Sequence, residues 1–439
     1  MTRDTTAYRS RLMSADAAAA LVPDGARICM ALGVAQPPAI LGALAQRAER
    51  GGIEGASLYY LLSTAIAGQT VLRRDLRHRL RPMSLFHSAV ERGLDVEAAA
   101  SGDPDVDFIP VAFSRAPRML RDEVGVDTLV TQVAPPDDNG DFSLGTNVDY
   151  AHGIARSATR VIVEVNRHMP RTGGDSTIPL SAVTAIVEND QPLPEIPSAA
   201  RRPADDAIGA IIAGLIDDGA CLQMGIGAVP EAVCAALGTH RRLGIHSELM
   251  TPGLADLMRA GIVDNSRKRT HVGKTVFTFA MGDRRFYDFL DGNPDVEAHP
   301  VDYVNDVAVI ARNEKVVSVN ATIEVDLHGA CNSEGMNGRQ YSASGGQLDF
   351  VRGAGLSAGG KSIIACHATA AGGTVSRIVP RLRGPVTTPR NDVQIVVTEF
   401  GYADLRGRSL AERASALIAI AHPDFRDALT AQLRTGMGS

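Results

Sequence analysis

The sequence predicts an α/β protein made of two related open parallel-sheet α/β domains. Three observations carry this reading. Short β-branched apolar runs, almost uninterrupted by polar residues, alternate with Ala/Leu-rich helical stretches. Strands buried on both faces of a parallel sheet, with helices between them, read this way. A proline-rich stretch from Pro192 to Pro203 breaks the alternation near mid-chain. One segment also recurs: Asp24-Gly-Ala-Arg-Ile-Cys-Met-Ala-Leu-Gly33 aligns with Asp218-Gly-Ala-Cys-Leu-Gln-Met-Gly-Ile-Gly227.

Each element has its own reason. Strands are predicted at Ser57–Thr64, Thr128–Ala134, Arg160–Val165, Val307–Ala311, Lys361–His367 and Val393–Val397, all short and rich in Val, Ile or Leu. Helices are predicted at Pro37–Ala48 and Pro230–Leu237, where a leading proline suits the first helical position. The stretch Pro192–Pro203 holds prolines 192, 194, 197 and 203 without a periodic apolar face, and a helical pattern restarts at Asp205. It is read as a linker between domains at 1–195 and 203–439. Each copy of the recurring segment leads into a proline-started helix and then an apolar strand, Leu58–Thr64 or Leu243–Leu249. Only the second copy places an acid, Glu248, in that strand.

Composition narrows the function. The 439 residues are 45% hydrophobic and 21% charged, with a net charge of −6. That balance argues against nucleic acid or an anionic membrane as the main partner. The longest apolar stretch near the N-terminus, Ala17–Val22, is too short for a signal peptide, and no apolar run reaches the length of a bilayer span. A cytoplasmic location is expected. The five cysteines are widely spaced and form no C-x-x-C, so buried thiols in a reducing compartment are expected. The eleven histidines form no H-x-x-x-H or H-x-H pair, which gives a catalytic metal site little support.

Two segments carry the candidate chemistry. Gly244-Ile-His-Ser-Glu248-Leu-Met-Thr-Pro-Gly253 reads as a buried strand ending on a carboxylate. Ser344-Gly345-Gly346-Gln347-Leu-Asp349-Phe350 reads as a glycine loop whose amides a ligand can approach, with Asp349 placed to cap the next element. A carboxylate facing bare amides is the minimum equipment for attacking a carbonyl and holding the resulting oxyanion. Gly225-Ile226-Gly227-Ala-Val-Pro230 follows a strand and opens a helix. It admits three readings: a dinucleotide-binding turn with Glu248 as the ribose anchor, a plain tight turn, or an oxyanion site using the amides of Ile226 and Gly227. Asn166–Gly174, basic and glycine-bearing, follows a strand and is a further ligand-facing candidate.

Taken together, Pro135-Pro-Asp with Gly140 and Ser143, Met169-Pro-Arg-Thr-Gly-Gly-Asp-Ser176, the 225–230 turn, His246-Ser-Glu248, Val325-Asp326-Leu, Gly345–Phe350 and Thr398-Glu-Phe-Gly through Ala421–Phe425 resemble the acetyl-CoA hydrolase/transferase family over nearly the whole chain. The resemblance implies two domains of the CoA-transferase type, commonly dimerised, with Glu248 as the catalytic glutamate. It implies oxyanion contacts from Ile226 and Gly346, and CoA contacts at Gly225, Gly227, Gly345, Gln347, Asp349 and Phe350. The implied reaction moves CoA from a short-chain acyl-CoA to a small carboxylic acid through a glutamyl-CoA thioester. It needs no metal and no cofactor beyond CoA as substrate. Hydrolysis of acyl-CoA at the same site is the alternative, and NAD-dependent oxidation is the remote one. Acetate, butyrate, 4-hydroxybutyrate and dicarboxylates such as itaconate or succinate all fit, with Arg171 and Arg352 as candidate partners for a second carboxylate.

Overall fold

The computed structural model describes residues 5–98, 106–197 and 200–436. The outermost residues of both expected domains, and Ser198 and Ala199 of the expected linker, lie outside that set. The chain forms two compact units, Met1–Ile196 with Thr278–Tyr303, and Pro197–Phe277 with Val304–Ser439. The change of unit at Ile196 falls inside the proline-rich stretch. Contiguous domains at 1–195 and 203–439 do not anticipate that Thr278–Tyr303 belongs to the first unit. Local bonding explains its place: Val148 N and Asp149 N donate to Thr278 O at 3.1 and 3.2 Å, and Ala280 N donates to Thr146 O at 2.7 Å. The Phe279 ring also stands edge-on to Phe113, with centroids 6.1 Å apart.

The first unit holds a seven-stranded sheet made of β1 (Arg27–Met30), β2 (Ala56–Leu61), β3 (Leu80–Phe86), β4 (Asp107–Phe108), β5 (Thr128–Val133), β6 (Arg160–Val165) and β7 (Ala185–Glu188). Their order is β4-β3-β2-β1-β5-β6-β7 and every pairing is parallel. Helix α1 (Pro38–Glu49) follows β1 and buries Ile40, Leu41 and Leu44. The second unit repeats the plan with β8 (Cys221–Met224), β9 (Gly244–Ile245), β10 (Val316–Ala321), β11 (Lys361–Ala365), β12 (Ile395–Thr398) and β13 (Gly401–Asp404). The order is β9-β8-β10-β11-β12-β13, parallel except for β13. Helix α2 (Pro203–Ala213) precedes β8, α3 (Ala228–Ala236) follows it, and α4 (Gln347–Leu356) precedes β11. In such sheets ligands gather beyond the strand carboxyl ends where the strand order reverses. That point lies between β8 and β10 in the second unit.

The internal repeat extends to individual hydrogen bonds. Asp24 Oδ1 accepts from Glu54 N, and Asp218 Oδ1 accepts from Arg241 N, both at 2.9 Å. Gly25 N donates to Glu54 O and Gly219 N to Arg241 O, at 2.8 and 3.0 Å. The two glycines have φ of 67° and 75°, a left-handed turn that L side chains resist. Pro230 takes the third rather than the first position of α3, whose N-cap is Gly227. It still sits in the first turn, where an N–H has no helical partner to lose.

Two expected strands differ. Val307–Ala311 is helical, because Asp306 accepts from Ala308 N and Val309 N at 2.8 and 2.9 Å and so starts a helix. The segment Leu243–Leu249 is not one strand: β9 ends at Ile245 and Glu248 lies in a bend. Here Ser247 Oγ donates to Leu249 O at 2.8 Å, a local bond that competes with strand pairing. The central strand β10 is absent from the sequence prediction, since Ser318 and Asn320 dilute its apolar run. Both are buried, and Asn320 pairs with Gln223 on β8, side chain to side chain, at 3.1 and 3.3 Å. The five cysteines are buried free thiols.

Asp149 and Glu164 in the first unit are buried, and none of their hydrogen bonds comes from a basic side chain. Asp149 accepts from Tyr150 N at 2.6 Å, Ala151 N at 3.2 Å and Asn147 Nδ2 at 3.3 Å, yet burial pushes its pKa up to about 7. Glu164 Oε2 accepts from Ala39 N and Ile40 N at the start of α1, and burial likewise pushes it up to about 7. A folded-state pKa above the unfolded one means the folded chain binds more protons between the two values. The stability these groups contribute therefore falls as pH rises from about 4 to about 7. Asp149→Asn removes the titration. The variant's melting temperature, relative to wild type, is expected to rise by several degrees from pH 5 to pH 8. A difference that stays constant across that range contradicts this reading.

Candidate active site

The second unit brings the glycine turn, the glutamate and the glycine loop to the carboxyl ends of β8 and β9. Gly225 N donates to Val319 O at 3.0 Å, which extends the β8–β10 pairing by one step. Gly227 then adopts φ of 118° and caps α3. Ile226, between the two glycines, is 55% exposed. Glu248 follows β9 in its bend and is half-buried. Ser247 holds this bend close to the turn, since its Oγ accepts from Met224 N at 3.4 Å.

Two groups converge on the Glu248 carboxylate. Asn305, fully buried, donates from Nδ2 to Glu248 Oε2 at 2.6 Å. A Cβ built at Gly346 would overlap both Glu248 Oε2 and Asn305 Nδ2. The loop backbone therefore packs directly on the acid, and only glycine permits that approach. Gly346 is also the N-cap of α4, so the positive end of that helix dipole lies beside the carboxylate. Gly345 enables the turn into the cap with φ of 51°.

His246 supports this cluster from behind. Its Nε2 lies 2.8 Å from Val304 O, which makes Nε2 the protonated nitrogen and steadies the backbone next to Asn305. Its ring stands 6.3 Å from that of Phe350 on α4. One buried imidazole thus braces both the segment that presents Asn305 and the helix that starts at Gly346.

The remaining candidates take different places. Phe350 is buried and its ring faces His246. Gln347 Nε2 donates to Thr388 Oγ1 at 2.8 Å, so its side chain ties α4 to the 388 segment. Asp349 lies within the first turn of α4 and not at its cap, because the helix begins earlier than the sequence suggests. Arg352 is bonded to Asp392 at 3.1 and 3.2 Å. In the first unit Arg171 Nη2 donates to Pro135 O and Asp141 O at 2.6 and 3.1 Å. Both guanidinium groups are occupied by protein partners. Asn305 escaped the sequence reading: a lone Asn before an Asp-capped helix carries no motif.

The acetyl-CoA hydrolase/transferase N-terminal domain model matches residues 1–197, and the C-terminal domain model matches residues 282–433. The chain is 44% identical over 432 residues to succinyl-CoA:cyclohexane-1-carboxylate CoA transferase of Geobacter metallireducens, covering 97% of this chain and 96% of the relative. It is 41% identical over 425 residues to 4-hydroxybutyrate coenzyme A transferase of Clostridium kluyveri, covering 96% and 97%. Among solved structures, RipA from Yersinia pestis matches with a TM-score of 0.95 and 51% identity over 98% of both chains. Both relatives are CoA transferases matched along nearly the whole chain, and the oxidoreductase alternative raised for the 225–230 turn gives way to them. The chain belongs to the acetyl-CoA hydrolase/transferase family, and it is a CoA-transferase.

Proposed function

We propose that the protein exchanges CoA between a short-chain acyl-CoA and a small carboxylic acid, with Glu248 as the covalent carrier in a ping-pong cycle. The observation that carries this reading is the packing of Glu248 Oε2 against the Gly346 backbone and the Asn305 amide. A carboxylate Oε attacks the thioester carbonyl and expels CoA thiolate, leaving a mixed anhydride between Glu248 and the acyl group. The thiolate attacks the Glu248 carbonyl. The anhydride C–O bond breaks, the acyl group departs as a free carboxylate, and Glu248 becomes a CoA thioester. An acceptor carboxylate attacks that thioester, and the two steps run in reverse to give the new acyl-CoA.

Asn305 positions the attacking carboxylate and donates to it. The amides at Ile226 and Gly346 are suited to the oxyanions of the tetrahedral intermediates. Binding energy from the rest of CoA offsets the distortion at the reacting carbonyl. Water reaching the glutamyl thioester would turn the same site into an acyl-CoA hydrolase.

Trapping tests the cycle. The protein is incubated with acetyl-CoA or butyryl-CoA in the absence of acceptor acid, then treated with hydroxylamine. A hydroxamate on the peptide containing Glu248, dependent on acyl-CoA, is the expected result. Turnover of the same donors with no modified Glu248 would sink the covalent route.

A further inference from the structure

We propose that Asn265 and Lys268 are positioning residues for CoA transfer: their side chains stand in for a missing strand beside β9 and so fix the segment that presents Glu248. This rests on the transferase reading above and adds two residues to its site.

β9 is an edge strand of the second-unit sheet. Its inner side pairs with β8, since Gly244 N donates to Ala220 O at 2.8 Å and His246 N to Leu222 O at 3.1 Å. Every second residue of such a strand turns its N–H and C=O away from that neighbour. Here these are Leu243, Ile245 and Ser247, and the segment 262–276 runs past them. At Leu243 and Ser247 it supplies main-chain partners. Leu243 N donates to Ile262 O and Leu243 O accepts from Asn265 N, both at 3.0 Å, and Ser247 N donates to Val276 O at 3.0 Å. At Ile245 both partners are side chains. Ile245 N donates to Asn265 Oδ1 at 2.9 Å, and Ile245 O accepts from Lys268 Nζ at 2.8 Å. This side-chain rung lies one step before Ser247, and Glu248 follows in its bend.

The geometry calls for these residue types. Ile245 O and Lys274 O are both acceptors and cannot bond to each other. One ammonium joins them, since Lys268 Nζ also donates to Lys274 O at 2.6 Å. Lys268 is 4% exposed, so its charge belongs to the interior. A buried ammonium is costly without hydrogen-bond partners, and here its partners are the two carbonyls it holds together. Asn265 accepts from Ile245 N and donates from Nδ2 to Thr275 Oγ1 at 3.0 Å. Its φ of 56° is left-handed, a region that Asn visits more readily than most residues. Both side chains thus tie Lys274–Thr275 to β9, and the next residue, Val276, holds Ser247. Gly244 completes the fit. A Cβ there would meet Lys268 Cγ at 2.7 Å and Cδ at 3.1 Å, so the lysine stem lies on bare backbone. Slack at the Ile245 rung passes through Ser247 to Glu248 and draws the carboxylate away from Asn305 and Gly346.

Transfer kinetics separate positioning from stability. Lys268→Met keeps the bulk of the stem and removes its donors. It is expected to lower kcat at least about tenfold, well below its own melting temperature, with KM for acyl-CoA unchanged. Asn265→Gly suits the left-handed backbone but removes the acceptor, and a similar loss is expected. Asn265→Asp keeps the acceptor and should hold kcat within about threefold of wild type. Coupling gives a further readout. Gly244→Ala pushes on the lysine stem. It should lower kcat about tenfold in the wild-type chain and less than about twofold in Lys268→Ala, where the stem is gone. Melting temperatures that fall while kcat holds, or losses that simply add in the cycle, overturn the proposal. Should the lysine variants not fold, the Asn265 pair decides alone: equal kcat in Asn265→Gly and Asn265→Asp overturns it. Hydroxylamine trapping keeps the two readings apart. Trapped Glu248 in the wild type with unchanged kcat in the variants removes the positioning role and keeps the covalent cycle. Lost transfer in the variants with no trapping in the wild type does the opposite.

Discussion

Glu248→Gln is expected to abolish CoA transfer, lowering kcat by at least about 10⁴-fold, on the scale seen when an enzyme loses its nucleophile. The substitution is nearly isosteric, and the glutamine oxygen can still accept the 2.6 Å bond from Asn305 Nδ2. Fold and acyl-CoA affinity should therefore persist, so the loss falls on kcat and not on KM. The amide oxygen is too poor a nucleophile to form the anhydride. Glu248→Asp keeps the carboxylate but withdraws it by one methylene from Asn305 and the Gly346 loop, and a loss of about 10²-fold is expected from misplacement alone. Steady-state transfer assays with both variants, together with the hydroxylamine trap, decide the matter. A glutamine variant retaining activity within tenfold of wild type would show that water or another residue performs the attack. Retained thioester hydrolysis with lost transfer would point to direct hydrolysis at the site.

Gly346→Ala is the second variant with a large expected effect. Gly346 has φ of −96° and ψ of 9°, a conformation alanine also adopts. The substitution therefore adds no backbone strain, and its effect comes from steric overlap with the Glu248–Asn305 pair. The new methyl would occupy space now held by Glu248 Oε2 and Asn305 Nδ2. The carboxylate must swing away, and a displacement of about an ångström at the reacting atom costs about 10²-fold in rate. The melting temperature should change little, whereas kcat should fall by about that factor. Gly345→Ala serves as the contrast: its φ of 51° is left-handed, so alanine there should cost about 1 kcal/mol of stability. Unchanged kcat in Gly346→Ala would mean the acid does not work from the position it occupies here.

Much of the architecture was legible in local pattern. The strands at 128–133 and 160–165 lie where apolar β-branched runs placed them, because such side chains suit a strand buried on both faces of a parallel sheet. The repeated Asp-Gly turns were legible because glycine in the left-handed region marks the chain locally. The helix at 307–311 was misread because its apolar run is too short for periodicity to decide, and one capping aspartate tipped it.

The sequence by itself determined the α/β class, the internal repeat, the acid at 248 and the bare glycines at 345 and 346. Each of these depends on interactions between residues close together in the chain, or on a residue type with no substitute. Tertiary structure alone decided that Asn305 meets Glu248, that His246 braces Val304 and Phe350, and that Gly346 must lack a side chain because an acid sits against it. These are contacts between distant segments. Their geometry is set by how β8, β9 and β10 order themselves in the sheet, and residue spacing along the chain carries no record of it.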